Sequence, residues 1–160
     1  MEIREATPSD WPAIYPFWSS IVAAGETYAY PEGLSSDDAS TLWMGQRRVI
    51  VAVVDGLIAG SATMGPNRPG RGSHIATASF MVDAAYAGRG IGRALGEELL
   101  RWSRAEAYRG IQFNAVVQTN AAAVHLWQSL GFAILTTVPG AFAHPTLGFV
   151  GLHVMFQSLV

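Results

Sequence analysis

The spacing of apolar residues changes several times along the chain, and each change marks a boundary between predicted elements. Trp11, Ile14, Trp18 and Val22 stand three to four residues apart, which is the spacing of an amphipathic helix, and Gly25 is a typical residue to end it. Shorter continuous apolar runs, bounded by glycine, asparagine and aspartate, are typical of strands. The pattern therefore predicts both helices and strands throughout the chain.

Turn residues give the order of these elements. Asp55-Gly56 separates two apolar runs and predicts a β-hairpin. We expect strands over residues 2–6, 49–54, 57–64, 74–82, 111–117, 132–138 and 150–157, helices over 10–24, 36–45, 90–108 and 120–130, and loops over 65–73 and 139–148. This order predicts a mixed α/β fold in which helices cover a sheet, and the length of 160 residues is that of one domain.

Composition narrows the chemistry. The chain has no cysteine and no lysine, which excludes disulfides, thiolate nucleophiles, Schiff-base enzymes and the lysine-dependent phosphate loop. The net charge of −2 disfavours a nucleic-acid partner. No apolar run approaches the roughly 18 residues of a membrane span, and no signal-peptide pattern is present, so we expect a cytoplasmic protein without a membrane partner.

Charged residues are distributed unevenly. Seven of the ten arginines lie between Arg68 and Arg109, and no Lys, Arg, Asp or Glu follows Arg109. Buried strands explain a charge-free segment, and so does a homodimer interface, whose core is depleted in charge. Both explanations can hold together.

Three alternating glycines, Gly88, Gly90 and Gly92, stand where a predicted strand meets a predicted helix. Glycine lets the backbone approach a ligand closely, and the free N–H groups of a helix N-terminus bind phosphate. The dinucleotide fingerprint does not fit, because Arg93 or Leu95 would occupy the place of its third glycine. A phosphate-binding turn is therefore the favoured interpretation, and a plain tight turn is the alternative.

Residues 82–95 resemble motif A of the GNAT N-acetyltransferase superfamily, and residues 119–132 resemble its motif B helix. The resemblance implies acetyl-CoA as cosubstrate and a mostly antiparallel sheet of six to seven strands, splayed beside motif A, with helices on both faces. It also implies that turn amides hold the pyrophosphate while the preceding strand and Asn120 hold pantetheine. The CoA-binding residues it implies are Phe80, Met81, Val82, Ala87, Gly88, Arg89, Gly90, Ile91, Gly92, Arg93, Asn120 and Trp127.

The sequence departs from the superfamily at two of these positions. Ala87 replaces the usual Gln or Arg, which removes one side-chain contribution to the turn. Trp127 replaces the tyrosine that protonates the departing thiolate in many members, and an indole cannot supply that proton. Trp127 also continues an apolar helical stripe with Ala123 and Leu130, so packing is the favoured explanation for it.

The acceptor site is expected around the loop after the first helix and the strand before motif A. Glu26 is the candidate base, with ordered water as the alternative. Asn114 is the candidate polar catalytic group, because an amide within an apolar strand needs a partner, and a sheet-edge hydrogen bond is the alternative. The candidate substrate-binding residues are Tyr28, Tyr30, Thr77 and Ser79. The four histidines have no metal-binding spacing, so we expect no metal.

Within the superfamily, residues 113–120 and 126–132 are similar to the L-azetidine-2-carboxylate (proline-analogue) acetyltransferases and their bacterial relatives. Thr77 stands where that group has asparagine. We therefore expect acetyl transfer from acetyl-CoA to the amine of a small molecule, an amino acid or an analogue. The alternatives are a catalytically silent acyl-CoA-binding or regulatory module and a protein N-terminal acetyltransferase.

Overall fold

A computed structural model describes all 160 residues and contains one seven-stranded sheet and four α-helices. The strands are β1 (Glu2–Glu5), β2 (Arg48–Val54), β3 (Leu57–Pro66), β4 (Ile75–Val82), β5 (Gly110–Val117), β6 (Ala133–His144) and β7 (Gly148–Ser158). The helices are α1 (Trp11–Ala24), α2 (Ser36–Met44), α3 (Ile91–Ala105) and α4 (Ala121–Ser129). The sheet order is β1-β2-β3-β4-β5-β7-β6, and every neighbouring pair is antiparallel except β4 and β5. The predicted fold class is therefore confirmed.

Local sequence signals account for most of the element boundaries. Gly25 ends α1 in the left-handed conformation, at φ +67°. The Ser35 side chain accepts from the Asp38 N–H to cap α2, and the Asn120 side chain accepts from the Ala123 N–H to cap α4. Asp55-Gly56 forms the tight turn between β2 and β3. These four boundaries follow from single residues.

The two faces of the sheet carry separate hydrophobic cores. On one face, α1 and α2 bury a cluster that includes Trp18 and Trp43 against β2 and β4. On the other face, α3 and α4 bury a larger cluster that includes Leu95, Leu99 and Trp127. Helices cover both faces of the sheet at these two clusters, whereas most of β6 stays exposed. None of the helices is both long and apolar enough to cross a bilayer.

The pair β4 and β5 separates after two residues. Their register contains only Ile75 opposite Gly110 and Ala76 opposite Ile111. Beyond these pairs the strands diverge, so the edge of β4 that faces β5 has no strand partner for its backbone groups. This opening lies in the middle of the sheet, and motif A begins at its end.

The prediction of a loop over residues 139–148 is wrong. β6 runs through Pro139 and Gly140 to His144, and only a short turn separates it from β7. The strand absorbs the two turn-forming residues as a shift of register between Val138 and Phe142, with Gly140 at φ +62°. Because β6 is an edge strand, a proline without an N–H can face outward there.

Candidate active site

A cavity of about 430 Å³ fills the opening between β4 and β5. Its walls come from the two diverging strands, the loop after α1, the helix α4 and the β6–β7 hairpin. The lining residues are mostly apolar, and the polar ones are Thr27, Tyr28, Thr77, Ser79, Asn114 and Asn120. No Asp, Glu, Arg or His lines this cavity, so any ligand in it meets hydroxyl and amide groups but no full charge.

The turn between β4 and α3 presents unpaired amides. None of the N–H groups from Gly88 to Arg93 donates to another group of the protein, and the first helical hydrogen bond is from Ala94 to the Gly90 carbonyl at 3.0 Å. Gly88 and Gly90 have φ of +75° and +77°, and no atom lies within 4 Å of where either would carry a Cβ. The turn is an open cradle of donors at a helix N-terminus, which fits a pyrophosphate.

Gly92, the third glycine of the turn, is needed for helix packing rather than for the shape of the turn. A Cβ at Gly92 would meet Leu126 of α4 at 3.3 Å, and a Cβ at Gly96 would meet Leu130 and Trp127 at 2.7 and 3.0 Å. These two glycines allow α3 and α4 to pack closely. Gly96 was not singled out from the sequence, although its four-residue spacing from Gly92 is that of a small-residue stripe on one helix face.

The two arginines of the turn are exposed, and their partners within the protein are also surface residues. Arg89 stacks over Tyr86 at 5.4 Å and approaches Asp55 at 3.8 Å. Arg93 donates to the Ser129 hydroxyl at 2.7 Å. Ala87 is exposed as well. Both guanidinium groups stay accessible to an anionic ligand on the turn.

Tyr28 reaches from the loop after α1 to the open edge of β4. Its hydroxyl donates to the Phe80 carbonyl at 2.7 Å and accepts from the Phe80 N–H at 2.8 Å. Burial of the hydroxyl raises the pKa of Tyr28 well above its ordinary value, so the phenol stays protonated at neutral pH. The predicted position of Tyr28 at the acceptor site agrees with this placement, but its contact with Phe80 has no sequence signal.

The other predicted acceptor residues lie around Tyr28. Tyr30 stacks on the Tyr28 ring at 5.4 Å and packs with a tilted ring against Trp18 at 5.5 Å, and burial raises the pKa of Tyr30. Thr77 and Ser79 line the cavity from β4, whereas Tyr30 lies behind Tyr28 and does not line it. Tyr30 therefore supports the site through Tyr28 rather than facing the cavity itself.

Trp127 forms the wall of the cavity on the α4 side. It is 7% exposed and lies 4.6 Å from the Phe80 ring and 4.9 Å from the Phe113 ring, measured between centroids. Phe132 stacks on Phe113 behind them. The packing explanation for Trp127 agrees with this aromatic cluster, which holds β4 and α4 together beside the opening.

The two asparagines lie at different places on the cavity wall. Asn114 is exposed at the rim, where its Nδ2 donates to Asn67 Oδ1 at 2.6 Å and its Oδ1 accepts from Gln112 at 3.0 Å. Asn120 lies at the start of α4, where the Ala123 N–H holds its Oδ1 at 3.3 Å. Both residues line the cavity, and each side chain keeps unused hydrogen-bonding capacity.

Glu26 is exposed and does not line the cavity, although the next residue, Thr27, does. Glu26 is therefore next in sequence to a lining residue but is not itself one, and its role as a base stays a prediction. His153 is buried and paired with the Thr137 hydroxyl at 2.7 Å, as a structural histidine would be. No three His, Asp or Glu side chains come together as metal ligands would.

Comparison with known proteins adds three findings. The sequence model of the acetyltransferase (GNAT) family matches residues 11–132. The structure is similar to that of a GCN5-related N-acetyltransferase from Kribbella flavida, with 56% identity and a TM-score of 0.96 over 99% of this chain and 97% of that one. It also shares its fold with yncA from Salmonella typhimurium, a structure with its cofactor acetyl-CoA, at 24% identity and a TM-score of 0.87 over 99% and 94% of the two chains.

A curated relative matches over a shorter segment. The N-acetyltransferase aca1 of Schizosaccharomyces pombe is 37% identical over 67 residues, which are 42% of this chain and 32% of that protein. The chain thus spans about a third of the length of that relative.

Proposed function

The chain belongs to the acetyltransferase (GNAT) family, and from that premise we propose that it transfers the acetyl group of acetyl-CoA to the amine of a small molecule. The observation that carries the proposal is that the free amides of the motif A turn follow directly after β4, the strand whose edge opens away from β5. A pyrophosphate on the turn would direct an extended arm along β4 toward Tyr28 and Phe80. The opening is where the thioester end of that arm would lie.

The residues present fit acetyl-CoA. Gly88, Gly90 and the first turn of α3 offer the donors for a pyrophosphate, and Arg89 and Arg93 remain accessible beside them. Because alternate residues of a strand direct their backbone groups to the same edge, Val82 shares the open edge of β4 with Phe80. That edge can pair with the amide groups of pantetheine, and Asn120 lies across the cavity from it. Bound there, acetyl-CoA supplies an acetyl group activated as a thioester.

The charge of the cavity points to the kind of acceptor. Its lining contains hydroxyl and amide groups but no carboxylate, so a polycationic acceptor would lose its hydration without gaining an ion pair. A small amine that carries one further polar or charged group suits the cavity better, because that group can form hydrogen bonds with Thr77, Ser79 and Asn114. We propose an amino acid or an amino-acid analogue, in line with the resemblance of residues 113–120 and 126–132 to proline-analogue acetyltransferases.

Transfer requires a neutral acceptor amine and a way to remove its second proton. With Glu26 outside the lining, we propose that water in the cavity takes this proton and passes it outward past the rim. Of the N–H groups on the open β4 edge, that of Phe80 already donates to the Tyr28 hydroxyl, so we propose the Val82 N–H as the donor to the acetyl oxygen. The apolar wall of Phe80, Phe113 and Trp127 limits access of bulk water. A cytoplasmic location, where acetyl-CoA is available, is part of the same proposal.

A thiol-release assay tests the proposal. The purified chain is given acetyl-CoA and a panel of acceptors that includes azetidine-2-carboxylate, hydroxyprolines, phosphinothricin, free amino acids and a short peptide with a free N-terminus. Acceptor-dependent thiol release with the small amines is expected. If CoA stabilises the chain but no acceptor causes thiol release from acetyl-CoA, the chain is a silent CoA-binding module. If only the peptide causes thiol release, the chain is a protein N-terminal acetyltransferase.

We further propose that the β6–β7 hairpin pairs with the same hairpin of a second copy. β6 is an edge strand with exposed apolar side chains, of which Leu135 is 60% exposed, and Phe149 near the start of β7 is 80% exposed. The hairpin contains no Lys, Arg, Asp or Glu, which suits contact with an identical surface. Sedimentation should give a dimer that Leu135→Glu converts to a monomer; a monomeric native chain would contradict this.

A further inference from the structure

We propose that Tyr28 limits the length of the acyl group that the chain accepts, because its hydroxyl closes the opening between β4 and β5 beside Phe80. This inference rests on the proposed function and adds the selectivity of that site among acyl donors. The hydroxyl donates to the Phe80 carbonyl at 2.7 Å and accepts from the Phe80 N–H at 2.8 Å. A side chain from the loop after α1 thus takes the place of a strand partner for one residue of β4.

Phe80 lies in the middle of the open edge of β4. Because alternate residues of a strand direct their backbone groups to the same edge, Ala78 and Val82 share this edge with Phe80. Val82 ends β4 next to the motif A turn, and Ala78 lies toward the end where β4 and β5 still pair. Tyr28 therefore divides the opening into an outer part at Val82 and an inner part at Ala78.

Tyr28 is held firmly in this position. Burial raises the pKa of Tyr28, so the phenol keeps its proton and can donate and accept at the same time. The Tyr30 ring stacks on it at 5.4 Å, with the two ring planes 13° apart. Displacement of the hydroxyl would leave the N–H and the carbonyl of Phe80 without partners, which is unfavourable for buried backbone groups. A ligand in the opening therefore meets a fixed wall at Tyr28.

The spacing along β4 gives the length that is available in front of this wall. Val82 and Phe80 are two residues apart, which is about 6.6 Å along a strand. Non-bonded atoms need about 3.5 Å between their centres, so a carbonyl group held at the Val82 N–H has about 3 Å left before it meets Tyr28. The methyl group of acetyl fits this length, and the propyl chain of butyryl does not.

A longer acyl chain also has no free path sideways. If it turns away from β4, it enters the part of the cavity lined by Thr77 and Ser79, which is the proposed place of the acceptor. The chain and the acceptor then compete for the same space. The selectivity for acetyl should therefore be visible in turnover as well as in binding.

The test is Tyr28→Ala in the full chain, with acetyl-CoA and butyryl-CoA as donors and one acceptor from the panel. The native chain should prefer acetyl-CoA by about 10- to 200-fold in kcat/KM, the usual range for a group slightly too large for its pocket. Tyr28→Ala should bring the preference to within about threefold, because the inner part of the opening then becomes accessible. Equal use of both donors by the native chain would overturn the inference, and so would an unchanged preference in Tyr28→Ala.

Tyr15→Ala is the matched control. Tyr15 packs against the same hydrophobic cluster and donates to the Leu34 carbonyl at 2.9 Å, but it does not line the cavity. Its truncation also removes one aromatic ring and one phenol-to-backbone hydrogen bond, and it should keep the native preference for acetyl-CoA. If Tyr15→Ala loses the preference to the same extent as Tyr28→Ala, loosening of the cluster explains the effect and the inference fails.

Tyr28→Phe covers the case in which Tyr28→Ala does not fold, because it keeps the ring and removes only the oxygen at the open edge. Isothermal titration calorimetry gives the Kd of each donor without an acceptor. The Kd of butyryl-CoA should exceed that of acetyl-CoA by at least about tenfold in the native chain, and Tyr28→Phe should lower this ratio by at least about threefold. An unchanged ratio would overturn the inference. If the native chain binds acetyl-CoA but no acceptor causes thiol release, the proposed function fails, while the two Kd ratios still decide the role of Tyr28.

Discussion

Gly90→Ala separates the two functions of the motif A turn, its backbone shape and its hold on pyrophosphate. Gly90 has a φ of +77°, a conformation that costs a residue with a side chain about 1–2 kcal/mol. No atom lies within 4 Å of the added Cβ, so the protein itself does not clash with the methyl group. For a chain of 160 residues this strain should lower the melting temperature by about 2–8 °C.

The same substitution should weaken acetyl-CoA binding beyond the effect of strain. The added methyl group points into the open cradle, and relaxation of φ turns the neighbouring N–H groups away from the ligand. Loss of one hydrogen bond to a charged group costs about 1.5–3 kcal/mol, which corresponds to about a 10- to 150-fold increase in Kd. Isothermal titration calorimetry with acetyl-CoA measures this directly.

Gly33→Ala is the control, because Gly33 has a φ of +72°, also has no atom within 4 Å of a Cβ, and lies outside the cavity lining. It should lower the melting temperature by a similar amount and leave the Kd unchanged. The reasoning is refuted if Gly90→Ala and Gly33→Ala destabilise alike and both bind acetyl-CoA within twofold of the native chain. The turn would then be a structural turn only.

Two further predictions concern carboxylates. Glu26→Gln should leave kcat within about threefold of the native value in the thiol-release assay, because a lost general base usually costs at least about a hundredfold and Glu26 does not line the cavity; a larger loss would identify it as the base. Two hydrogen bonds from Arg4 hold the pKa of Asp10 well below its ordinary value, so their stabilisation is complete above pH about 4 and is lost as the pH falls toward the folded-state value. Urea midpoints between pH about 5 and 2 should therefore fall more steeply for the native chain than for Asp10→Asn, and parallel curves would contradict this.

The sequence predicted the fold class and the motif A turn because both depend on local signals. The helix stop Gly25 and the Asp55-Gly56 turn each act within a few residues and are confirmed. The caps Ser35 and Asn120 act over the same short range. Membership of the acetyltransferase (GNAT) family, which the two motifs predicted, is confirmed. The residue roles at the acceptor site stay predictions.

What could not be predicted depends on contacts between distant segments. Pro139 and Gly140 are turn-forming residues, and only pairing with β7 makes β6 continue through them. The Tyr28–Phe80 contact joins residues 52 positions apart, and no periodicity encodes it. Within α3 alone nothing requires a glycine at position 96, and only the packing of α4 against it does. In each case the neighbour that decides the structure lies outside the local sequence.

The position of Asn114 allows an experiment to separate its two possible roles, a substrate contact and a sheet-edge hydrogen bond. It lines the cavity, and its amide also bonds to Asn67 and Gln112 at the rim. A pure edge hydrogen bond predicts that Asn114→Ala has no larger effect than Gln112→Ala combined with Asn67→Ala, because both changes remove the same two bonds between amides. A substrate contact predicts that only Asn114→Ala raises the acceptor KM, by about 2- to 12-fold for one neutral hydrogen bond of about 0.5–1.5 kcal/mol. Since neither Gln112 nor Asn67 lines the cavity, the ratio of the two KM values decides between them, and a ratio near one would leave Asn114 a structural residue.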